Sequence, residues 1–286
     1  MKSISSIIFI IVAAAVAVMG WFVTQYSSIQ KTTQDNIMII AHRGSSSTAP
    51  DNSLISIEQA LISNADFVEI DIHLTNDGYF VVLHDHIIEE KIIIEQSLET
   101  IQSFDISMPD KFSESYKEQQ SPDLERALEL ILTKSTPLIE YKRNPQDPEK
   151  HARRASKKLL QLLDNRGWGK KVMIQSFDVQ FLAYCRAMNP DIMLGWLIMD
   201  ELVVHLETIE QEINPEIVAW KRENLTKENI NWIRERSDAQ IWSWYGREDK
   251  INDPAFTLDM IQHGITGIIT DYPAQAYVVR EWYQSQ

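Results

Sequence analysis

From residue 37 to the C-terminus, short apolar runs recur at a near-regular interval, separated by stretches whose apolar positions fall three and four apart. Runs of aliphatic and β-branched residues predict strands, and the three-four spacing predicts amphipathic helices. The first strand is expected over 37–41, followed by a helix over 52–64 in which Leu54, Ile57 and Leu61 share a face. A second strand covers 67–72, and 79–84 returns beside it after Thr75-Asn76-Asp77-Gly78. Asp77-Gly78 is a strong signal for a two-residue hairpin loop, which would set Asp71 across from His84 and Glu69 diagonally from it. Residues 86–121 lose the periodicity and predict a small charged insertion holding a short strand or turn and a short helix.

From Pro122 onward the alternation is regular. Helices are expected over 122–133, 147–165, 178–188, 202–212, 226–236, 254–263 and 273–284, and strands over 137–141, 171–176, 192–198, 216–220, 240–244 and 267–270. A tight turn cannot join parallel neighbours, so 79–84 is an antiparallel excursion. The strands that precede helices then start near 37, 66, 137, 171, 192, 216, 240 and 267. Eight such units predict an α/β fold: a (β/α)8 TIM barrel over 37–286 with an extra rim hairpin strand and a small insertion. Barrels of this kind work at the C-terminal ends of their strands. There the sequence places His42 and Arg43, Glu69 and Asp71, Glu140 and Lys142, and, near later strand ends, Ser176, Trp242 and Asp271.

The segment before the barrel has a different pattern. Residues 7–23 are uninterruptedly apolar, close to the roughly 20 residues that span a bilayer. The expectation is an N-terminal transmembrane signal-anchor over 1–25, a polar tether over 26–36 and an exported barrel; a cleaved signal ending at Ala15-Val16-Ala17 is the alternative. A net charge of −14, from 27 basic and 41 acidic residues, excludes nonspecific nucleic-acid binding. An anionic substrate must therefore be attracted locally. The single cysteine, Cys185, excludes an internal disulfide and sits in an apolar run that predicts burial.

The chemistry concentrates in residues 39–85. Alternation puts Glu69, Asp71 and His73 on one face of an apolar strand. Two acids so placed repel each other and lose hydration unless a cation lies between them, and a hard divalent ion with oxygen ligands meets that need. His42 and His84 carry side chains that titrate near neutrality, and Arg43 offers a planar fork suited to phosphate oxygens.

The segments HRG (42–44), APDNS (49–53), EID (69–71), TNDG (75–78) and VVLHD (81–85) resemble those of the glycerophosphodiester phosphodiesterase family, within the phospholipase-C-like barrels. LIEYK (138–142), VMIQSFD (172–178), IWSW (241–244) and GITGIITDYP (264–273) extend the resemblance across residues 37–286. It implies Ca²⁺ or Mg²⁺ on Glu69, Asp71 and Glu140, His42 and His84 as acid and base, and Arg43 and Lys142 on the phosphate. It implies a glycerophosphodiester substrate whose glycerol 2-hydroxyl attacks phosphorus, with sn-glycerol 3-phosphate and an alcohol as products, and Trp242 as a pocket wall. The chain departs from the family pattern at Asp51 and Ser53, where Glu and Thr are usual, and at Trp244-Tyr245 after Ser243. His73 is read as a rim histidine, and Ser176 and Asp271 as residues shaping the mouth. Two other readings are a lysophospholipid hydrolase working at the membrane surface and a barrel that binds phosphate esters without turnover.

Overall fold

Alternation along the strands sorts the barrel's side chains into two sets. Val68, Ile70 and Ile72 join the large cluster shared with the helices, whereas Ile40, Leu138, Met173, Leu197, Ala219, Trp242 and Ile269 form a separate cluster that fills the lumen. The structure, a computed structural model, describes residues 37–144, 146, 148–199, 209–244 and 254–286. The expected anchor and tether, most of the helix over 202–212, and Tyr245 lie outside the described residues. Among the described residues no helix is long and apolar enough to cross a membrane.

The barrel strands are β1 (Met38–Ala41), β2 (Phe67–Leu74), β6 (Thr136–Tyr141), β7 (Met173–Ser176), β8 (Met193–Ile198), β9 (Ile217–Lys221), β10 (Gln240–Trp244) and β11 (Gly267–Thr270). They pair in parallel in that order, and β1 closes the ring by pairing with both β2 and β11. All eight begin within two residues of the positions expected from the sequence. The helices are α1 (Leu54–Ile62), α4 (Leu124–Ile131), α5 (Pro148–Asn165), α6 (Val179–Met188), α7 (Lys227–Arg236), α8 (Pro254–Gln262) and α9 (Pro273–Gln284), after α2 (Leu98–Gln102) and α3 (Pro109–Phe112) of the insertion. Sequence explains their starts. Ser53, Asp123, Asp178 and Thr226 each cap a helix by accepting a backbone N–H of its first turn, an arrangement whose loss costs about 1 kcal/mol. Gly267 is required for closure, because a Cβ there would lie 2.5 Å from the Trp242 ring.

At the N-terminal end of the barrel two acids are fully partnered. Asp66 accepts the Ile39 backbone N–H at 2.7 Å and pairs with Arg280 of α9. Arg186 of α6 binds both oxygens of Glu216 at 2.9 Å while donating to the carbonyls of Pro190, Ile192 and Ile213.

The hairpin differs from expectation. β3 (Phe80–Val82) does run antiparallel to β2, but Leu74 pairs with Phe80 and Ile72 with Val82, one residue out of the predicted register. The loop has three residues rather than two. Gly78 N–H donates to the Thr75 carbonyl and Thr75 N–H to the Tyr79 carbonyl, with Gly78 left-handed at φ 88°, the geometry of a turn followed by a one-residue bulge. Asp71 therefore faces Leu83, whose N–H donates to its carbonyl at 3.0 Å. The insertion is a two-stranded hairpin, β4 (Ile87–Ile88) and β5 (Lys91–Ile92), with α2, α3 and 3-10 turns, lying beside the C-terminal mouth.

Candidate active site

Two backbone irregularities build the mouth. Arg43 is left-handed (φ 55°) between β1 and Gly44, and its N–H donates to Glu69 Oε2 at 2.8 Å. Gly44 (φ 78°) has no room for a side chain, since a Cβ would lie 2.5 Å from Ser56. Asn52, also left-handed (φ 61°), turns its amide onto Asp71: Nδ2 donates to Oδ2 at 2.8 Å and Oδ1 accepts the Asp71 N–H at 3.1 Å. Left-handed backbone at residues bearing a Cβ costs energy and tends to persist where function holds it.

Parallel register sets Asp71 directly beside Glu140 on the neighbouring strand. With Glu69, these form a buried trio whose carboxylate oxygens lie within 4.8 Å of one another. Two cations answer three acids. Arg43 reaches Asp71 at 3.1 Å and Asp51 at 3.2 Å, and Lys142 reaches Asp71 at 2.8 Å and also binds Glu140. Their charges overcome the burial penalty on Asp71 and hold its carboxyl far below the usual range. Burial also pulls on Lys142, but Asp71 and Glu140 outweigh it and push its ammonium up. For Glu69 the same two cations do not suffice: burial, then the neighbouring Asp71 and Glu140 charges, raise it well above the ordinary carboxyl value. Its Oε1 is buried with no hydrogen-bond partner. A chelating pocket with an orphaned oxygen and surplus negative charge fits a hard cation bound through carboxylates.

The two histidines approach from different elements. His42, just after β1, has Nδ1 2.6 Å from Asp271, which follows β11. Burial tends to raise that carboxyl, yet the hydrogen bond and charge of His42 hold it far below its usual range. His84, on the bend after β3, has Nδ1 2.6 Å from Asp85. Burial draws the His84 imidazolium down to about 4 against the pull of Asp71. Both rings thus spend Nδ1 on a carboxylate, and Nε2 is the ring nitrogen that remains. The altered hairpin register does not remove His84 from the acids, because the chain leaves the strand at Leu83 and bends, keeping the imidazole in the field of Asp71.

Three placements differ from expectation. His73 is not a rim histidine: it is 2% exposed, and its Nε2 lies 3.1 Å from the His84 carbonyl. A carbonyl only accepts, so Nε2 carries the proton, and burial draws the imidazolium down to about 3. Trp242 is 1% exposed in the lumen cluster, with Nε1 3.2 Å from Gln240 Oε1 and its ring edge-on to Phe67. It is a floor rather than a wall, because it sits in the middle of β10, and Trp244 takes the strand's final position. Asp271 does more than shape the mouth, since it fixes the His42 ring. Ser176 donates to the Tyr141 carbonyl at 2.8 Å and is structural. Asp51 does orient Arg43, and Lys111 of α3 also approaches it, at 3.7 Å. Cys185 is buried.

Sequence reasoning missed Asn52 and the Asp271 partnership. Both lie in motifs noted above, APDNS and GITGIITDYP, but their partners are 19 and 229 residues away.

A parallel barrel whose mouth gathers two carboxylate-held imidazoles, two cations and three buried acids defines an enzyme of the phosphoric diester hydrolase class. The chain belongs to the glycerophosphoryl diester phosphodiesterase family, whose profile matches residues 42–275. It is 25% identical to a glycerophosphodiester phosphodiesterase of Bacillus subtilis (strain 168) across 94% of this chain and 96% of that one. It is 29% identical to the Bacillus altitudinis enzyme of the same name, covering 85% and 98% respectively. Among solved structures, an Oleispira antarctica phosphodiesterase in complex with the product sn-glycerol-3-phosphate matches the fold with a TM-score of 0.75 at 22% identity, over 86% of this chain and 97% of that one. A glycerophosphodiester phosphodiesterase from Parabacteroides distasonis matches with a TM-score of 0.72 at 22% identity, over 88% and 99%.

Proposed function

We propose that the protein hydrolyses glycerophosphodiesters to sn-glycerol 3-phosphate and an alcohol, with a divalent cation, Ca²⁺ or Mg²⁺, held by Glu69, Asp71 and Glu140. The observation that carries the reading is the buried trio with its orphaned Glu69 oxygen beside two imidazoles that each present Nε2. When bound, the ion supplies Lewis-acid stabilisation of the charge that builds on phosphoryl oxygens. The protein's own groups do the rest. One imidazole takes the proton of the glycerol 2-hydroxyl as it attacks phosphorus, and the other protonates the departing alkoxide. Water then opens the cyclic phosphate with the two roles exchanged. Asp271 keeps His42 in the ring orientation this needs, as Asp85 does for His84. Arg43 and Lys142 lie close enough to share their charge between the carboxylates and an arriving phosphate.

The test is release of sn-glycerol 3-phosphate from glycerophosphoethanolamine by the purified protein with Ca²⁺ or Mg²⁺. Turnover that chelation stops is the expected result. No turnover with either ion would refute the reading and leave a phosphate-ester binding barrel. The membrane anchor over 1–25 is part of the same proposal for a surface-exposed enzyme, and sequencing the mature N-terminus tests it: a start at or just beyond Val18 would remove the anchor.

A further inference from the structure

The first three turns of α5 carry Lys150, Arg153, Arg154, Lys157 and Lys158, five of the chain's 27 basic residues within nine positions, in a protein of net charge −14. We propose that this face is a docking surface for an anionic lipid bilayer, which it meets with the barrel mouth close by. The inference stands apart from the phosphodiesterase reading above.

Helical spacing puts the five on one side of α5. All are exposed, while Ala152, Ala155, Ser156 and Leu159 are buried on the opposite side. Glu149 is the only acid of α5 before Asp164, and among the described residues no carboxylate pairs with Arg153, Arg154, Lys157 or Lys158. Arg153 lies over the Tyr184 ring, 6.0 Å from its centroid, and Arg154 donates to the Asn76 carbonyl at 3.1 Å, contacts that leave both charges standing. The bond to Asn76 also brings the β2–β3 turn against the stripe, where a Cβ on Gly78 would lie 3.3 Å from Lys158 Nζ and 3.4 Å from Arg154 Nη2. The acid of that turn, Asp77, is spent inside it, on the Thr75 hydroxyl and the Leu98 N–H. Tyr79, which lines one groove with Lys158, is 57% exposed. An exposed aromatic ring beside a row of cations is the composition of a membrane-interface contact. Position agrees with this reading. α5 descends from the loop that follows β6 and Lys142, so residues 150–158 lie in its half nearest the mouth, and β2 runs on from Asp71 into the same turn. A convex row of cations about 12 Å long suits an array of headgroups better than a single anion. Helix-borne clusters of roughly four to eight Lys and Arg are the size that holds anionic lipid surfaces. The anchor proposed above would bring the barrel to such a surface.

The experiment measures partitioning of the full chain onto vesicles of phosphatidylcholine alone and of an equal mixture of phosphatidylcholine and phosphatidylglycerol, so that the apolar run over 7–23 contributes alike to both. A protein of net charge −14 without a docking face would favour the neutral vesicles. The wild type should instead favour the anionic ones by about tenfold or more at low salt, and lose that preference at about 1 M salt, where charges are screened beyond about 3 Å. Lys157→Glu combined with Lys158→Glu should lower the preference by about tenfold or more. Lys170→Glu combined with Lys171→Glu, at exposed positions past the far end of α5, changes the net charge equally and should leave the preference within about twofold. An unchanged Tm shows that both double variants are folded. A wild-type preference at or below one, no loss in the first double variant, or equal losses in the two would each overturn the inference. Binding to soluble polyglutamate without enrichment on the anionic vesicles would assign the stripe to an acidic protein and overturn it as well.

Discussion

The two ends of the barrel handle charge in opposite ways. At the N-terminal end, Asp66 and Glu216 each accept a backbone N–H and an arginine, so neither is left short of donors. At the C-terminal end, Glu69, Asp71 and Glu140 share Arg43 and Lys142, and Glu69 keeps a buried oxygen with no donor. Both ends are made by the same strands, so secondary structure does not account for the difference. The lower end is satisfied as folded, whereas the upper end leaves a buried carboxylate oxygen without a donor, the deficit that the proposed cation would meet. Buried charge without full pairing is strongly unfavourable, and its persistence marks a site rather than a scaffold.

That contrast predicts effects of different kind and size. The largest belongs to the imidazoles: His42→Ala and His84→Ala should each lower kcat by about 10²–10⁴-fold, with an unchanged far-ultraviolet circular dichroism spectrum. Asp271→Asn should follow closely, at about 10²-fold or more, because it removes the carboxylate that fixes the His42 ring. Wild-type activity in any of the three would break the proposed division of labour.

Next comes the acid trio. A divalent ion at one hundred times its Kd should stabilise the metal-free wild type by about 2.7 kcal/mol, read as a rise in Tm. Glu69→Gln should abolish that rise and the activity together. It should also leave the metal-free protein as stable as the wild type or more so, since it replaces an acid whose ionised form is disfavoured by burial and by two neighbouring acids with a neutral side chain of the same shape. Loss of activity with a normal ion-induced shift in Tm would separate the acids from the ion.

The smallest effect lies at the other end. Arg186→Ala removes hydrogen bonds to Glu216 and to several carbonyls and should lower stability by about 2 kcal/mol, with kcat and KM unchanged. A drop in activity at equal folded fraction would mean that the lower end is not mere scaffold.

Much of this was legible in the sequence, and the boundary follows the range of the interactions involved. Strand and helix starts are local matters of periodicity and capping, so eight strand positions could be read to within two residues. That Glu69, Asp71 and Glu140 meet at one mouth could be read from their places near the ends of successive barrel strands, whereas the register that sets Asp71 beside Glu140 is a finding of the structure. The hairpin register was not legible, because Asp77-Gly78 serves a two-residue loop and a three-residue loop with a bulge equally well. Nor was the fate of His73, whose partner is a carbonyl displaced by that same bulge. Asp271 pairs with His42 only because β1 and β11 are neighbours in the closed ring, a contact of chain ends that no local pattern encodes.

The most direct test is calorimetric titration of Ca²⁺ and of Mg²⁺ into metal-stripped wild type and Glu69→Gln. One ion bound per wild-type chain, with restored turnover of glycerophosphoethanolamine and no binding to the variant, is the predicted result. Turnover in chelator by wild type that binds neither ion would contradict the claim that the barrel mouth is built to hold one.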